Sequence, residues 1–349
     1  MRKSLLFVCL ALVVAGSALA DEHESGRFWY VVDNIQSVEE GASILVWVTL
    51  PPVWHGQQVE VSNITPEPKA IIDDPGTGNR IIEWYVEPEP WQMAPETDPR
   101  QIYFHFDVEL GEIPLHFSAD DFQDVEYDRS SEKVRKYTEG EMWIQVDGPV
   151  AAKARELTAG VEDPDDRGRA VFDWAVDNLE FVPGAHEGHD AESVLAAGKG
   201  DCGQFSILYA AMCRSVGIPA RTLSNQWVAG GRHTLAEIMM PGGTWIPVDL
   251  TVAQMLAPGY EDLDPEQLQA FMARRGVDGD EPGWFYGNMG SDRIVVTLGN
   301  NIRFESPTLG HPVSLEQMAP GGSQAIPQAY RIEGLNRSIV HGGFYAFGQ

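Results

Sequence analysis

Cys202 is the residue of this sequence best suited to nucleophilic chemistry. It follows the segment 198–201 (Gly-Lys-Gly-Asp) and opens a predicted helix that ends at Gly217 and Pro219. The apolar stripe of that helix consists of Phe205, Leu208, Tyr209, Met212 and Val216. Free N–H groups and the helix dipole stabilise an anion at a helix start, so we expect the pKa of the Cys202 thiol to lie below its ordinary value of about 8.5. We expect Asp201 to cap the helix.

A predicted hairpin supplies the partners that a thiol nucleophile needs. The segments 233–240 (HTLAEIMM) and 245–251 (WIPVDLT) are typical of strands, with a Pro-Gly-Gly-Thr turn between them. His233 begins the first strand and Asp249 ends the second, so an imidazole base and a carboxylate that orients it could meet. Counting from the turn pairs Asp249 closer to Thr234 or Ala236 than to His233, so the contact requires a bulge or a diagonal approach.

Residues 1–20 have the pattern of a secretory signal peptide. A basic start at Arg2 and Lys3 precedes a short apolar run, and the segment 17–20 (Ser-Ala-Leu-Ala) has small residues at the cleavage positions. The run is too short for a membrane span, and no later segment is apolar enough for one. We therefore expect an exported protein, periplasmic or extracellular, without membrane insertion.

Two cysteines remain after the predicted signal peptide, and an exported protein would normally pair them. Cys202 and Cys213 are eleven residues apart, which on one helix is ~16 Å at ~1.5 Å per residue. A disulfide needs Cα atoms within about 7 Å, so both thiols are expected to stay reduced. Cys213 lies near the apolar stripe and is interpreted as an inert core thiol.

The remaining chain divides by composition into three parts. Residues 21–148 are rich in β-branched and aromatic segments between turns, which favours a β-sandwich-like domain. Residues 149–304 mix helical spacing with strands, including one strand predicted over 292–304, and residues 305–349 form a Gly- and Pro-rich extension. The predicted class is α+β.

Net charge excludes some functions and names none. The formal charge is −28, and removal of Arg2 and Lys3 with the signal peptide makes it −30. Such a chain repels phosphate backbones and anionic lipid, so nucleic acid is not an expected partner. The cluster of His186, Glu187, His189 and Asp190 fits no standard metal spacing. We therefore predict no metal and no cofactor.

Three segments together resemble the transglutaminase-like superfamily, which is related to papain-type thiol enzymes. They are 198–221 (GKGDCGQFSILYAAMCRSVGIPAR), 233–237 (HTLAE) and 245–251 (WIPVDLT), in the family's order and spacing. The resemblance covers roughly residues 150–300. It implies a helix bearing the cysteine packed on an antiparallel sheet, and it assigns the family's catalytic cysteine, histidine and aspartate to Cys202, His233 and Asp249.

The implied activity is attack on an amide or peptide bond of a protein or peptide substrate through a thioacyl intermediate. Hydrolysis is favoured over transfer to an amine, and the alternative is a catalytically silent binding or scaffolding protein. Leu235 departs from the aromatic residue usual in the histidine motif and is expected to shape the cleft. The Cys202 N–H is one expected oxyanion donor, and the second remains open among Gln204, Asn225 and Gln226. The oligomeric state is not predicted.

Overall fold

A computed structural model describes residues 24–33, 37–38, 44–55, 57, 59–86, 102–110, 126–184, 188–227, 231–257, 266, 269–270, 281–289, 293–316, 330–333, 335–336 and 339–346. The predicted signal peptide lies outside these residues. Within them, no helix has both the length and the apolar character needed to cross a membrane.

Helices and strands are numbered along the chain. The helices with described bounds are α1 (Glu132–Lys136), α2 (Gly148–Leu157), α3 (Pro164–Asn178), α4 (Ala191–Ala197), α5 (Cys202–Ser215) and α6 (Leu250–Leu256). The strands are β1 (Glu24–Asp33), β2 (Ser37–Val38), β3 (Ile44–Leu50), β4 (Val59–Thr65), β5 (Ala70–Asp74), β6 (Asn79–Val86), β7 (Ile102–Leu110), β8 (Glu180–Phe181), β9 (Lys199–Gly200), β10 (Ala220–Trp227), β11 (Arg232–Met239), β12 (Trp245–Val248), β13 (Arg293–Leu298), β14 (Asn301–Glu305), β15 (Pro312–Glu316), β16 (Tyr330–Glu333), β17 (Leu335–Asn336) and β18 (Ile339–Ala346).

A four-stranded antiparallel sheet, here called the central sheet, carries α5 on one face. Its order is β12-β11-β10-β13. Because side chains alternate along a strand, Ala236 and Ile238 of β11 pack into the core that contains α5, whereas Leu235 and Glu237 point to the other face. The predicted helix from Cys202 and the predicted hairpin are both confirmed, and the mixed helix and sheet architecture is the predicted one.

Two further antiparallel sheets form the N-terminal region. One has the order β18-β1-β7-β4 and the other β14-β15-β16-β3-β6-β5. Composition predicted a separate extension over residues 305–349. The described strands β15, β16 and β18 in that range belong to these sheets instead. β15 pairs locally with β14, whereas β16 and β18 pair with β3 and β1, partners that are too distant in sequence to leave a local signal.

The strand predicted over 292–304 is two strands that belong to different sheets. Gly299, with φ of 87°, and Asn300 turn the chain between β13 and β14. A left-handed backbone at Gly299 is accessible because glycine lacks a Cβ atom. The turn therefore passes the chain from the central sheet into the six-stranded sheet.

Two side-chain amides from the N-terminal region pair with the open edge of β13. Gln57 accepts from the Val295 N–H at 2.8 Å and donates to the Val295 carbonyl at 3.1 Å. Asn79 does the same at Leu298, with distances of 2.9 and 2.7 Å. The amides take the place of a neighbouring strand, so the edge is covered and the two regions are fixed to each other.

Replacing Asn79 by alanine is expected to lower the free energy of unfolding by about 2 kcal/mol. The substitution leaves the buried N–H and carbonyl of Leu298 without partners, and an unpaired buried group costs about 1–3 kcal/mol. Urea denaturation measures the change. Asn178→Ala is the control because Asn178 is exposed and donates only to the Trp174 carbonyl. Equal stability of the two variants would show that the amide pairing contributes nothing.

Candidate active site

Cys202 is the first residue of α5, where caps fix both its backbone and its neighbours. The Asp201 carboxylate accepts from the Gln204 N–H at 3.0 Å, and the Gln204 Oε1 accepts from the Asp201 N–H at 2.9 Å. The Ser206 hydroxyl donates to the Cys202 carbonyl at 2.7 Å and lies 3.2 Å from the Thr234 carbonyl of β11. The predicted cap at Asp201 is confirmed, and the first turn of α5 is tied to the strand that begins with His233.

The Cys202 thiol does not have the lowered pKa that its position at a helix start predicts. Burial raises the pKa of this thiol to about 12, and the negative charges of Asp201 and Asp249 add to the rise. Hydrogen bonds from the Thr234 and Gly203 backbone N–H groups act in the opposite direction and are outweighed. Cys202 remains partly exposed. A reagent can therefore reach the sulfur, but at neutral pH the sulfur is present as the protonated thiol, which reacts slowly.

Alkylation of Cys202 is expected to accelerate about tenfold per pH unit from pH 6 to pH 10, because only the thiolate reacts. Cys213 is fully buried, burial also raises its pKa to about 12, and it should stay unlabelled in the folded protein. Iodoacetamide labelling followed by peptide mass mapping reads the two cysteines separately. A plateau in Cys202 labelling below pH 8 would contradict the neutral thiol.

His233 and Asp249 are in direct contact. The His233 Nε2 lies 2.9 Å from Oδ2 and 3.0 Å from Oδ1 of Asp249, and both side chains are buried. The approach is diagonal, as the strand register requires: Val248 pairs with Ala236, and the chain then turns into α6 with Asp249 as its N-cap. Since Nε2 faces the carboxylate, Nδ1 is the nitrogen left for proton exchange.

Arg293 is a site residue that the sequence did not reveal. Its Nη1 donates to the Asp249 Oδ2 at 2.6 Å, and its side chain is fully buried. The guanidinium lies 3.9 Å from the centroid of the Trp227 ring, and the same ring stacks on His233 with 5.3 Å between centroids. The only signal was an arginine at the start of an apolar strand (RIVVTL), where a buried cation needs a partner.

The carboxyl group of Asp249 stays ionised. Its burial would raise the pKa, but the positive charges of His233 and Arg293 and their hydrogen bonds outweigh burial and hold the pKa far below the ordinary value. The Val252 N–H also donates to it, at 3.2 Å. Asp249 is thus a fixed negative charge between one permanent cation and one titratable ring.

The side-chain candidates for a second oxyanion donor differ in their hydrogen-bond partners. The Gln204 Nε2 donates to the Gly188 carbonyl at 2.7 Å and the Gln226 Nε2 to the Trp227 carbonyl at 2.9 Å. Asn225 lies opposite His233 in the ladder, is fully buried, and has no hydrogen-bond partner for either amide atom in the described part of the chain. The Cys202 N–H at the helix start stays the first predicted donor.

Leu235 and Glu237 belong to the opposite face of the central sheet. Leu235 is buried with Trp54 and Leu223, so the expectation that it shapes the cleft is corrected to a packing role. Glu237 accepts from the Arg221 Nε at 2.6 Å and from the Trp54 Nε1 at 2.5 Å. Glu237 is therefore a structural residue.

The loop considered for metal binding is only partly described, because His186 and Glu187 lie outside the described residues. The Asp190 carboxylate accepts from the N–H and the hydroxyl of Ser193 as the N-cap of α4. In the described ranges, no three His, Cys, Asp or Glu residues are grouped so that they could hold a metal ion.

Residues 151–250 match the model of the transglutaminase-like superfamily. The match contains α5, the hairpin and all three predicted catalytic residues. Residues 151–250 belong to the transglutaminase-like superfamily. The same chain also carries a sheet-rich N-terminal region outside the matched residues.

Two relatives show how far the likeness extends. A candidate cysteine protease from Cytophaga hutchinsonii has a crystal structure with a TM-score of 0.50 and 14% identity, covering 94% of this chain and 92% of that one. At such identity the likeness shows the fold. An uncharacterized protein from Haemophilus influenzae is 27% identical over 179 residues. That alignment covers 42% of this chain and 47% of the relative, so the match spans about half of the relative's length.

Proposed function

We propose that this protein is an exported cysteine-dependent enzyme that cleaves amide or peptide bonds with Cys202, His233 and Asp249. One observation carries the proposal. The His233 Nε2 lies 2.9 Å from the buried Asp249 carboxylate, and Thr234, the next residue along β11, hydrogen-bonds through its backbone N–H to the Cys202 sulfur. The arrangement supplies a nucleophile, a base on the strand that contacts the nucleophile, and a carboxylate that fixes the base.

The first half of the reaction starts from a neutral thiol. The His233 Nδ1 takes the thiol proton as the sulfur attacks the carbonyl carbon, and the Asp249 carboxylate stabilises the imidazolium that forms. The Cys202 N–H, at the positive end of α5, donates to the developing oxyanion. When the carbon–nitrogen bond breaks, His233 gives its proton to the leaving amine and a thioester remains on Cys202.

The second half regenerates the thiol. His233 removes a proton from water as the water oxygen adds to the thioester. The carbon–sulfur bond then breaks to release a carboxylic acid, and His233 returns the proton to the departing sulfur. An amine in place of water would give a cross-link instead. We propose hydrolysis, because water is the acceptor unless a site excludes it. The substrate is a protein or peptide.

Arg293 is proposed as a positioning residue for Asp249. Its hydrogen bond keeps one carboxylate oxygen in place, and its contact with Trp227 places the indole against His233. A permanent cation at this point also keeps Asp249 ionised in acid. The catalytic imidazole is therefore held on its face by a ring and at its Nε2 by a carboxylate.

The test is turnover of a peptide mixture in water enriched in ¹⁸O, with and without a labelled primary amine. We expect one ¹⁸O atom in each new carboxyl group and no amine in the products. Amine incorporation without acid release would replace hydrolysis with transamidation. The same assay on Cys202→Ala must show neither.

A catalytically silent binding protein is the second candidate. Burial of the Cys202 thiol favours it, because a thiol with a pKa raised to about 12 is a poor nucleophile without assistance. Absence of turnover by the wild type would favour this candidate, whereas the alkylation profile expected above is the same for both candidates.

A further inference from the structure

A cavity of about 860 Å³ lies where the N-terminal region meets the central sheet, at a distance from Cys202. Two indoles, Trp54 and Trp245, and the buried guanidinium of Arg221 line its inner part, and Lys133 and Lys136 of α1 line its outer part. We call it the cationic pocket. Its size is in the range of sites that hold small organic ligands.

The inner part of the cationic pocket already has its own charge partner. Glu237, fully buried, accepts from Arg221 and Trp54 and lies 3.5 Å from the His55 Nε2. Burial acts to raise the pKa of Glu237, but Arg221 and His55 hold it below the ordinary value. His55 has a left-handed backbone, with φ of 47°, which is rare outside glycine and is common at binding sites.

Unlike Arg221, the two lysines have no carboxylate partner among the described residues. Neither Lys133 nor Lys136 forms an ion pair with any described residue, although the chain has 52 acidic residues against 24 basic ones. Glu132 lines the pocket as well and is exposed, as Lys133 and Lys136 are. The Lys133 ammonium lies 5.6 Å from the Trp245 ring centroid, and the Arg221 guanidinium lies 4.2 Å from the same centroid. Two cations on one indole repel each other.

The surroundings of Lys133 therefore disfavour its protonated form. Partial burial lowers the pKa of Lys133 and the positive charge of Arg221 lowers it further, while the negative charge of Glu237 acts to raise it. A bound anion would offset the two lowering effects. The concave shape strengthens the attraction, because low-dielectric walls focus the field of the cations on the ligand.

We propose that the cationic pocket binds an anionic group, a carboxylate or a phosphate, carried on a flat apolar body. The anion pairs with the Lys133 and Lys136 ammonium groups, and the apolar body lies against the indoles of Trp54 and Trp245. On an otherwise acidic protein, these cations form a local site for a ligand that the rest of the surface repels.

The cationic pocket is separate from the catalytic residues. Arg221 and Glu237 are paired in the ladder, as are Asn225 and His233 four residues further along the same strands. Four residues of strand span about 13 Å. Binding in the pocket therefore does not require Cys202, and it should persist in a protein that lacks the thiol.

The test is calorimetric titration of the full-length Cys202→Ala protein with 1-naphthyl phosphate and with 1-naphthoate, using 1-naphthol as the neutral probe. We expect saturable binding of at least one anion and none of 1-naphthol, and the ratio of the two anion affinities separates phosphate from carboxylate as the preferred group. Lys133→Met should weaken anion binding about tenfold by removing one charge-assisted contact.

Lys153→Met is the matched control. Lys153 also lies over an indole, 5.3 Å from the Trp174 ring centroid, but it is paired with Glu156 at 2.8 Å and lies outside the pocket. The control should bind like the parent protein. Equal losses in the two lysine variants, equal binding of 1-naphthol, or no saturable binding of either anion would each overturn the proposal, whether or not the protein is an enzyme.

Discussion

Cys202→Ala is expected to reduce amide turnover by at least ~10³-fold, since removal of a catalytic nucleophile leaves only binding and oxyanion stabilisation. The structure indicates that the substitution removes turnover without disturbing the fold. Cys202 is partly exposed at the start of α5, and the cap formed by Asp201 and Gln204 does not use its side chain. The variant should therefore fold, which far-ultraviolet circular dichroism and thermal unfolding would check.

Cys213→Ala is the matched control, because it removes the other thiol of the same helix. Cys213 is fully buried in the core, so the smaller side chain should lower the free energy of unfolding by about 1 kcal/mol and leave turnover unchanged. Acid release from a peptide mixture is the measurement for both variants. Retention of turnover by Cys202→Ala would mean that Cys202 is not the nucleophile. Loss of turnover in Cys213→Ala would mean that the assignment to Cys202 rather than Cys213 is wrong.

The elements that position Cys202 could be predicted because their signals are local. Apolar spacing after residue 202 and the glycine at 217 marked α5, and two glycines in the turn at 241–244 marked the hairpin of β11 and β12. Each signal lies within a few residues of the element that it predicts. The order of the three motifs then indicated the transglutaminase-like superfamily, and the match over residues 151–250 confirmed that prediction.

Features that depend on distant partners could not be predicted. β18 pairs with β1 across more than 300 residues, and Gln57 and Asn79 cover an edge strand that lies far along the chain. Arg293 reaches Asp249 from a different strand, so its spacing in the sequence carries no information about the contact.

The pKa of Cys202 shows why position on a helix is not sufficient. The sequence placed the thiol at the positive end of α5, which favours a thiolate. It could not show how much protein surrounds the sulfur or that Asp249 lies close enough to act on it. Burial and negative charge outweigh the helix start, and the pKa rises. The proposed mechanism therefore needs a base, His233, to remove the thiol proton, whereas a preformed thiolate would not need one for attack.

Arg293→Met is expected to lower the free energy of unfolding at pH 7 by about 3 kcal/mol, the typical cost of breaking a buried ion pair. Without the guanidinium, the pKa of Asp249 moves up toward its ordinary value, because one of the two charges that lower it is gone. Asp249 then becomes protonated at higher pH. The acid limb of the kcat/KM profile should shift to higher pH, and Arg293→Lys should restore much of it by restoring the charge.

The pH dependence of stability provides a second readout with a fixed sign. A carboxyl group with a lowered pKa in the folded state stabilises the protein above its unfolded pKa of about 3.9, and that contribution is lost as the pH falls further. The wild type should therefore lose stability as the pH drops below about 4. Arg293→Met should lose less of it over that interval, because less of the contribution is present at the start.

A double-mutant cycle distinguishes the specific pair from general damage to the core. Asp249→Asn leaves Arg293 as an unpaired buried cation, so the double variant, which removes both charges, should be more stable than the sum of the single losses predicts. Arg221→Met with Asp249→Asn is the control, since Arg221 is equally buried but paired with Glu237. Its losses should add. If both cycles are additive, Arg293 only fills space beside Trp227, and Asp249 holds His233 without its help.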